Sequence, residues 1–394
     1  MSVFMNQAGD ILEEIVAIRR DIHQHPELGQ DLPRTSKIVM NKLQEYGVDE
    51  VLNPVSTAVI GVIHGTKGPG KCVGIRCDMD ALPVHEKTGL PFSSENEGVM
   101  HACGHDLHAS MMLGNAKILC QHRDEFAGTI KLIFEPGEEL QPGGARLIIE
   151  SGVVDDVDMF IGMHVTPSEG DVGKIGIRKG PVTTSADEID ITVHGKGGHG
   201  SEPNKAADAI LAACQINVLL QQIQARNINP QDTVILTINE IEGGIATNII
   251  AETCRLLGGF RTYTPEAREI GTRKIHEICR GVEAFSDCKI DDQVKIGYDA
   301  CFNDSDMVDT LTSAYDAELG EDSYYKMEEP LKFSEDFSFF STVTGKPAVL
   351  MFLNAGHAEG HEKGVLHNET CTFDENAMQH GMAAMSVGAL SMLK

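Results

Sequence analysis

LHASMMLGNAKILCQHRDEFAGTIKLIFEPGEE, residues 107–139, reads as a helix, then a strand, then an acidic loop. Leu107 to His122 fits a helix, with Asp106 placed to cap it. Gly128 to Phe134 is apolar and rich in strand-forming residues, and it ends in Glu135-Pro136-Gly137-Glu138-Glu139. The same texture continues on both sides. Toward the N-terminus, Asp10 with Glu13 suits a capping box ahead of Ile11, Ile15, Ile18 and Ile22 at helical spacing. A second helix fits Arg34 to Tyr46, stopped by Gly47. Thr57–His64 and Lys71–Arg76 read as strands, the latter running into Cys77-Asp78-Met79-Asp80. Toward the C-terminus, Gly144–Ser151 is helical, and Asp158–Gly162 is a strand ending in Met163-His164. Strands alternating with helices predict an α/β domain with a mostly parallel sheet.

The pattern changes after Gly180. A strand at 188–194, a long helix at 204–226, strands at 233–242 and 253–263, a helix at 265–284 and a strand at 288–297 follow. This β-α-β-β-α-β order is that of the ferredoxin-like split unit. It predicts an inserted α+β domain at 183–298 within a discontinuous catalytic domain, 1–182 and 299–394. The α/β texture then returns with a helix from Asp306, a helix or loop around Glu335-Asp336-Phe337, a strand at Ala348–Leu353 and a helix from Glu375.

A chain of 394 residues is expected to form two domains. Its net charge of -27 argues against nucleic acid, which needs Lys and Arg against phosphate. Ten scattered cysteines without a CxxC pair suggest reduced thiols and a cytoplasmic setting. No signal peptide is evident, and no apolar run approaches the ~20 residues that span a bilayer. The expectation is a soluble protein with neither nucleic acid nor membrane as partner.

The chemistry gathers around MHACGHDLHAS, residues 100–110, where His101, Cys103, His105 and His108 are all potential metal ligands. A thiolate with imidazoles suits Zn, Co or Ni better than Mg or Ca. Asp78 and Asp80, Glu138 and Glu139, and His164 follow strands directly, and His367 lies in a later loop. In open parallel sheets that edge holds the ligand. Taken singly, each is better explained as a solvated loop residue; together they favour one site. Of the two adjacent glutamates, one can ligate a metal while the other takes a proton from water. Cys103 as a thiol nucleophile is the competing use. Gly195, Gly197 and Gly200 spell GxGxxG, yet no Asp or Glu occurs between Ala209 and Pro230, so nucleotide binding is set aside.

In series, RRDIHQHPELG, RCDMDALP, MHACGHDLHAS, EPGEE, GMHV, GKGGHGSEPN, GGIATNII, SEDFSFF and LHN resemble the metal-dependent aminoacylase and carboxypeptidase family. The resemblance is to its branch of hippurate hydrolases, N-acetyl-diaminopimelate deacetylases and indoleacetyl-amino-acid hydrolases. It implies two divalent transition metal ions (Zn, Mn, Co or Ni), with Cys103 bridging and His105, Glu139, His164 and His367 completing the ligands. It further implies Glu138 as general base, with Asp80 orienting a ligand and Asp78 standing where other branches have a metal-binding His. The inserted domain would act as a lid and dimer contact, bringing His199, Asn248 and Arg261 to the substrate. The implied reaction is hydrolysis of the amide of a small N-acyl amino acid by a metal-activated water. A metal-dependent carboxypeptidase or dipeptidase, a metal-independent Cys103 hydrolase and a noncatalytic metal-binding protein are the alternatives.

Overall fold

Two separate hydrophobic cores form, one in each of two units of the chain. The computed structural model describes residues 2–168, 171–361 and 364–394. Its first unit comprises Met1–Gly180, Phe302–Glu329 and Asp336–Lys394; the second comprises Pro181–Cys301 and Pro330–Glu335.

The first unit is built on an eight-stranded sheet in the order Glu50–Leu52, Val59–His64, Thr129–Glu135, Cys72–Asp78, Met159–Thr166, Ala348–Asn354, Ile175–Ile177 and Tyr324–Lys326. The central strands Thr129–Glu135, Cys72–Asp78, Met159–Thr166 and Ala348–Asn354 run parallel, and antiparallel pairings lie toward the edges. These central strands are almost wholly buried because helices cover both faces, which is why they read as continuous apolar runs. Successive side chains alternate between faces. Ile161 meets the Ala377–Met392 helix at Gly388, whereas Phe160 packs on Phe340 of the short Ser338–Thr342 helix. The Val3–Gln24, His105–Gln121 and Ala377–Met392 helices pack on one another.

Several local boundaries differ from the sequence reading. The first helix begins at Val3, with Ser2 Oγ accepting the Phe4 N–H at 3.2 Å, so Asp10 lies inside it and caps nothing. Phe4 and Ala8 extend the buried stripe of Ile15, Ile18 and Ile22 by more than a turn. Asp106 does not cap its helix either, because Gly104 occupies that position. The Asp106 carboxylate instead accepts Arg19 Nε at 2.6 Å and His23 Nδ1 at 2.8 Å. The strand expected to end at Gly162 runs on to Thr166, held by parallel pairing of His164 with Phe352 and Thr166 with Asn354.

The second unit holds an antiparallel sheet in the order Val234–Gly243, Thr253–Thr262, Asp187–His194 and Lys289–Lys295. Ile189, Ile191 and Val193 alternate with Glu188, Asp190 and Thr192, and the apolar set packs under the Ala209–Leu220 and Pro265–Ser286 helices. The expected 204–226 helix is broken: Pro203–Lys205 is a 3-10 turn, Asp208 caps Ala209–Leu220, and Gln222–Arg226 follows. Residues 330–335 rejoin this unit through Leu331 N–H to Val182 O (2.8 Å) and Thr184 N–H to Phe333 O (2.9 Å). Among the described residues, no helix is long and apolar enough to cross a membrane.

Candidate metal centre

The carboxyl ends of the parallel strands carry the clustered polar side chains of the first unit. Asp78 ends its strand, Glu138 and Glu139 follow the strand that ends at Glu135, and His164 lies just inside the end of Met159–Thr166. Cys103 and His105 arrive on the turn into the buried His105–Gln121 helix. Gly104 makes that turn at φ +86°, a left-handed conformation suited to glycine. A Cβ there would stand 2.3 Å from Val165 Cγ2, so the turn packs directly against the strand bearing His164.

Several sets of side chains, Asp78 with His105 and His108 among them, converge so that the potential ligand atoms of each lie within 4.8 Å of one another, and three of these sets hold the expected ligands and Glu138. These three are Cys103, His105 and His164; Cys103, Glu139 and His367; and His105, Glu138 and Glu139. Cys103 belongs to the first two, the arrangement a bridging thiolate requires. Cys103 Sγ is 3.4 Å from His164 Nε2, and Glu139 Oε1 is 3.2 Å from His367 Nε2 and 3.9 Å from His105 Nε2. Both ring nitrogens of His105 are buried without a hydrogen-bond partner. Burying such groups unmet is costly. Sulfur, imidazole nitrogen and carboxylate oxygen around that vacant valence fit a divalent transition metal.

The surrounding hydrogen bonds decide which groups are free to ligate. His164 donates from Nδ1 to Val165 O at 2.6 Å, which leaves Nε2 with its lone pair toward Cys103. His108 donates from Nδ1 to Asp78 Oδ1 at 2.5 Å and accepts the Val165 N–H on Nε2 at 2.8 Å. Both its nitrogens are engaged, so His108 is a support. Asp78 is engaged in the same way, because its Oδ2 accepts Arg76 Nη1 at 2.7 Å. Asp80 takes the Glu138 N–H on Oδ1 at 3.0 Å and the Glu139 N–H on Oδ2 at 3.1 Å, while Oδ1 lies 3.5 Å from His105 Nδ1. One carboxylate thereby fixes the glutamate loop and faces the imidazole. The buried His101 lies outside all three sets.

The buried groups shift one another's titration. Burial alone would lower the His105 pKa, but Asp78 and Cys103 raise it well above the usual value. Burial would raise Glu139, yet His367 and His105 hold it below the ordinary range. Burial, followed by His108, holds His164 well below its usual value, which keeps it a neutral donor. Burial and then Glu139 push the Cys103 thiol well up.

The three residues expected to contact substrate lie in the second unit. His199 and Asn248 are neighbours there: His199 pairs with Ile249, and Gly200 N–H donates to Asn248 O at 2.9 Å. The His199 Nδ1 lies 2.7 Å from Ser201 Oγ. Arg261 sits on the Thr253–Thr262 strand opposite Ile235, with a buried Nη1 lacking a partner. The sequence reading missed Arg76, which is buried in a central strand beside Asp78. A charged residue inside an otherwise apolar strand was the signal available.

The sequence model of peptidase family M20/M25/M40 matches residues 74–387. The hippurate hydrolase of Campylobacter jejuni is 36% identical over 395 residues, covering 99% of this chain and 100% of the relative. Thermostable carboxypeptidase 1 of Saccharolobus solfataricus is also 36% identical, over 394 residues, covering 98% and 97%. A solved Bacillus subtilis structure described as a dinuclear metal-binding peptidase from the M20 family superposes with a TM-score of 0.84 at 30% identity, covering 98% of this chain and 99% of that one.

Proposed function

The chain belongs to peptidase family M20/M25/M40, and from that membership we propose that it is a metal-dependent amidohydrolase of N-acyl amino acids. The observation that carries the reading is the pair of ligand sets sharing Cys103, with Glu138 beside them. In this reading Cys103, His105, Glu139, His164 and His367 hold two divalent ions of the Zn, Mn, Co or Ni class. When bound, such ions polarise an amide carbonyl and acidify water. Glu138 takes a proton from the attacking water and delivers it to the departing nitrogen, so that amide and water become acid and amine. Asp80 holds Glu138 in place through the backbone of its loop. His199 and Asn248 polarise the scissile carbonyl, and Arg261 pairs with the substrate carboxylate. The second unit serves as a lid that excludes water and as the contact of a homodimer. Ten scattered cysteines without a CxxC pair support a reducing, cytoplasmic setting.

A second reading, carboxypeptidase or dipeptidase, is favoured by the equal identity to a carboxypeptidase and a hippurate hydrolase. Both split an amide beside a carboxylate, so one screen separates them. Benzoyl-, acetyl- and longer acyl-amino acids and dipeptides are offered to the protein, with metal content measured on the same sample. Turnover of the acyl-amino acids that stops on chelation is expected. Glu138→Gln should retain metal and lose about 10²- to 10⁴-fold in rate, whereas Glu139→Ala should lose metal too. A Gln variant with wild-type rate would remove Glu138 as the base, and a metal-loaded protein inert on the whole panel would defeat the enzyme reading.

A further inference from the structure

Arg76 joins three buried carboxylates beside the metal centre. Its Nε donates to Glu135 Oε2, its Nη1 to Asp78 Oδ2 and its Nη2 to Asp336 Oδ1, each at 2.7 Å, and all four side chains are buried. Register explains the meeting. In the Cys72–Asp78 strand, Val73, Ile75 and Cys77 enter the main core, so Gly74 and Arg76 face the other side. Arg76 is paired with Ile133 on the next strand, and Asp78 with Glu135.

Two of the partners lead to the glutamate loop and the third to the strand end bearing His164. Glu135 is the last strand residue before the loop that carries Glu138 and Glu139. Asp336 takes hold of that loop's far end: its Oδ2 accepts the Ala145 N–H at 3.1 Å. Gly143, at φ +87°, lets it come this close, since a Cβ there would lie 2.2 Å from Asp336 Oδ2. Asp78 leads the other way, to His108 and through it to the Val165 N–H, beside His164. A guanidinium has a rigid fork of donors, so the angles between these three branches are fixed by one planar group.

We propose that Arg76 is the positioning residue of the metal centre, with Asp336 and His108 as its two arms: the first sets the Glu138–Glu139 loop, the second the strand end bearing His164. The inference rests on the proposed metal centre. Arg76 acts by holding two ligand-bearing segments at one spacing.

The test uses Arg76→Lys, which keeps the charge and loses the fork, with Asp336→Asn and His108→Gln cutting one arm each. Each is compared with wild type for folding by circular dichroism, for metal content after dialysis against a weak chelator, and for the absorption spectrum of the Co(II)-loaded protein. Supports of this kind are typically worth about 10- to 100-fold in metal affinity or activity. A folded Arg76→Lys protein should bind metal about that much more weakly, with an altered Co(II) spectrum, a lower kcat and a nearly unchanged KM. Each single-arm variant should show a smaller effect, and adding either to Arg76→Lys should cost little more, because that arm is already slack. Wild-type metal affinity and spectrum in folded Arg76→Lys overturn the proposal. If Arg76→Lys fails to fold, the arms decide: wild-type metal binding in both refutes it, and weakened binding in both upholds it. A wild-type protein that holds no metal pair would instead defeat the metal-centre reading beneath it.

Discussion

Asp80→Asn puts a number on the clamp that holds the glutamate loop. The Asp80 carboxylate accepts two backbone N–H groups, Glu138 on Oδ1 at 3.0 Å and Glu139 on Oδ2 at 3.1 Å, in a buried setting. An amide of the same shape offers one oxygen, so one of those N–H groups must face an NH2. A buried donor left unmet costs about 1–3 kcal/mol, and the surviving bond weakens from charge-assisted to neutral by about 1 kcal/mol. The expected loss is therefore about 2–4 kcal/mol, a large part of the ~5–15 kcal/mol that holds a typical protein folded. The assay is urea unfolding in the presence of a chelator, followed by far-UV circular dichroism, so that metal does not mask the loop. Asp124→Asn, at an exposed position, serves as the control and should stay within about 0.5 kcal/mol of wild type. If Asp80→Asn unfolds with the control, the carboxylate is not what fixes the loop, and its support of Glu138 goes with it.

Cys103→Ser should reduce metal content along with activity; loss of activity at full metal occupancy would instead favour a thiol nucleophile. The buried group of Arg19, His23, Glu86 and Asp106 should give stability a pH window. Burial opposes both charged forms, yet Asp106 raises His23 above its ordinary value, and His23 lowers Glu86 to about 2. The acidic contribution is present above Glu86's ordinary value and is lost as pH falls toward 2. The histidine contribution is whole below about 6.5 and is lost as pH rises through the raised value. Unfolding of the metal-free protein across pH checks this, and His23→Gln should flatten the alkaline side; an unchanged alkaline slope in that variant would refute the assignment.

The central strands were legible because helices on both faces demand continuous apolar runs, as in Gly128–Phe134. The ends of elements were less so. Asp106 has the right type and position for a cap, but Arg19, some 87 residues away in the chain, takes its carboxylate. Ser2 lies ahead of a weakly patterned stretch whose Phe4 and Ala8 become informative only once their buried stripe is seen. In the candidate centre, the residue types and their place at strand ends pointed to a metal. The division of labour came from the family resemblance and not from residue type or spacing. Asp78, His108 and His164 are all plausible ligands by type, and the hydrogen bonds show the first two engaged by each other, by Arg76 and by the Val165 N–H. Arg76 and Asp336 are 260 positions apart, and no local pattern connects them.

In the proposed centre, the two ligand sets that share Cys103 differ in access to water. Cys103, His105 and His164 are all buried, whereas the His367 side chain is 54% exposed, at the tip of a loop held at φ +63° by its N–H to Ala102 O. An ion in the first set could leave only after its neighbours open; one in the second need lose only His367 to meet solvent. The two positions should therefore run on different clocks, the inner ion trapped over many turnovers and the outer one trading with the medium. A protein purified in one metal and assayed in another would then carry a mixed pair, with its history written in the inner position and its surroundings in the outer.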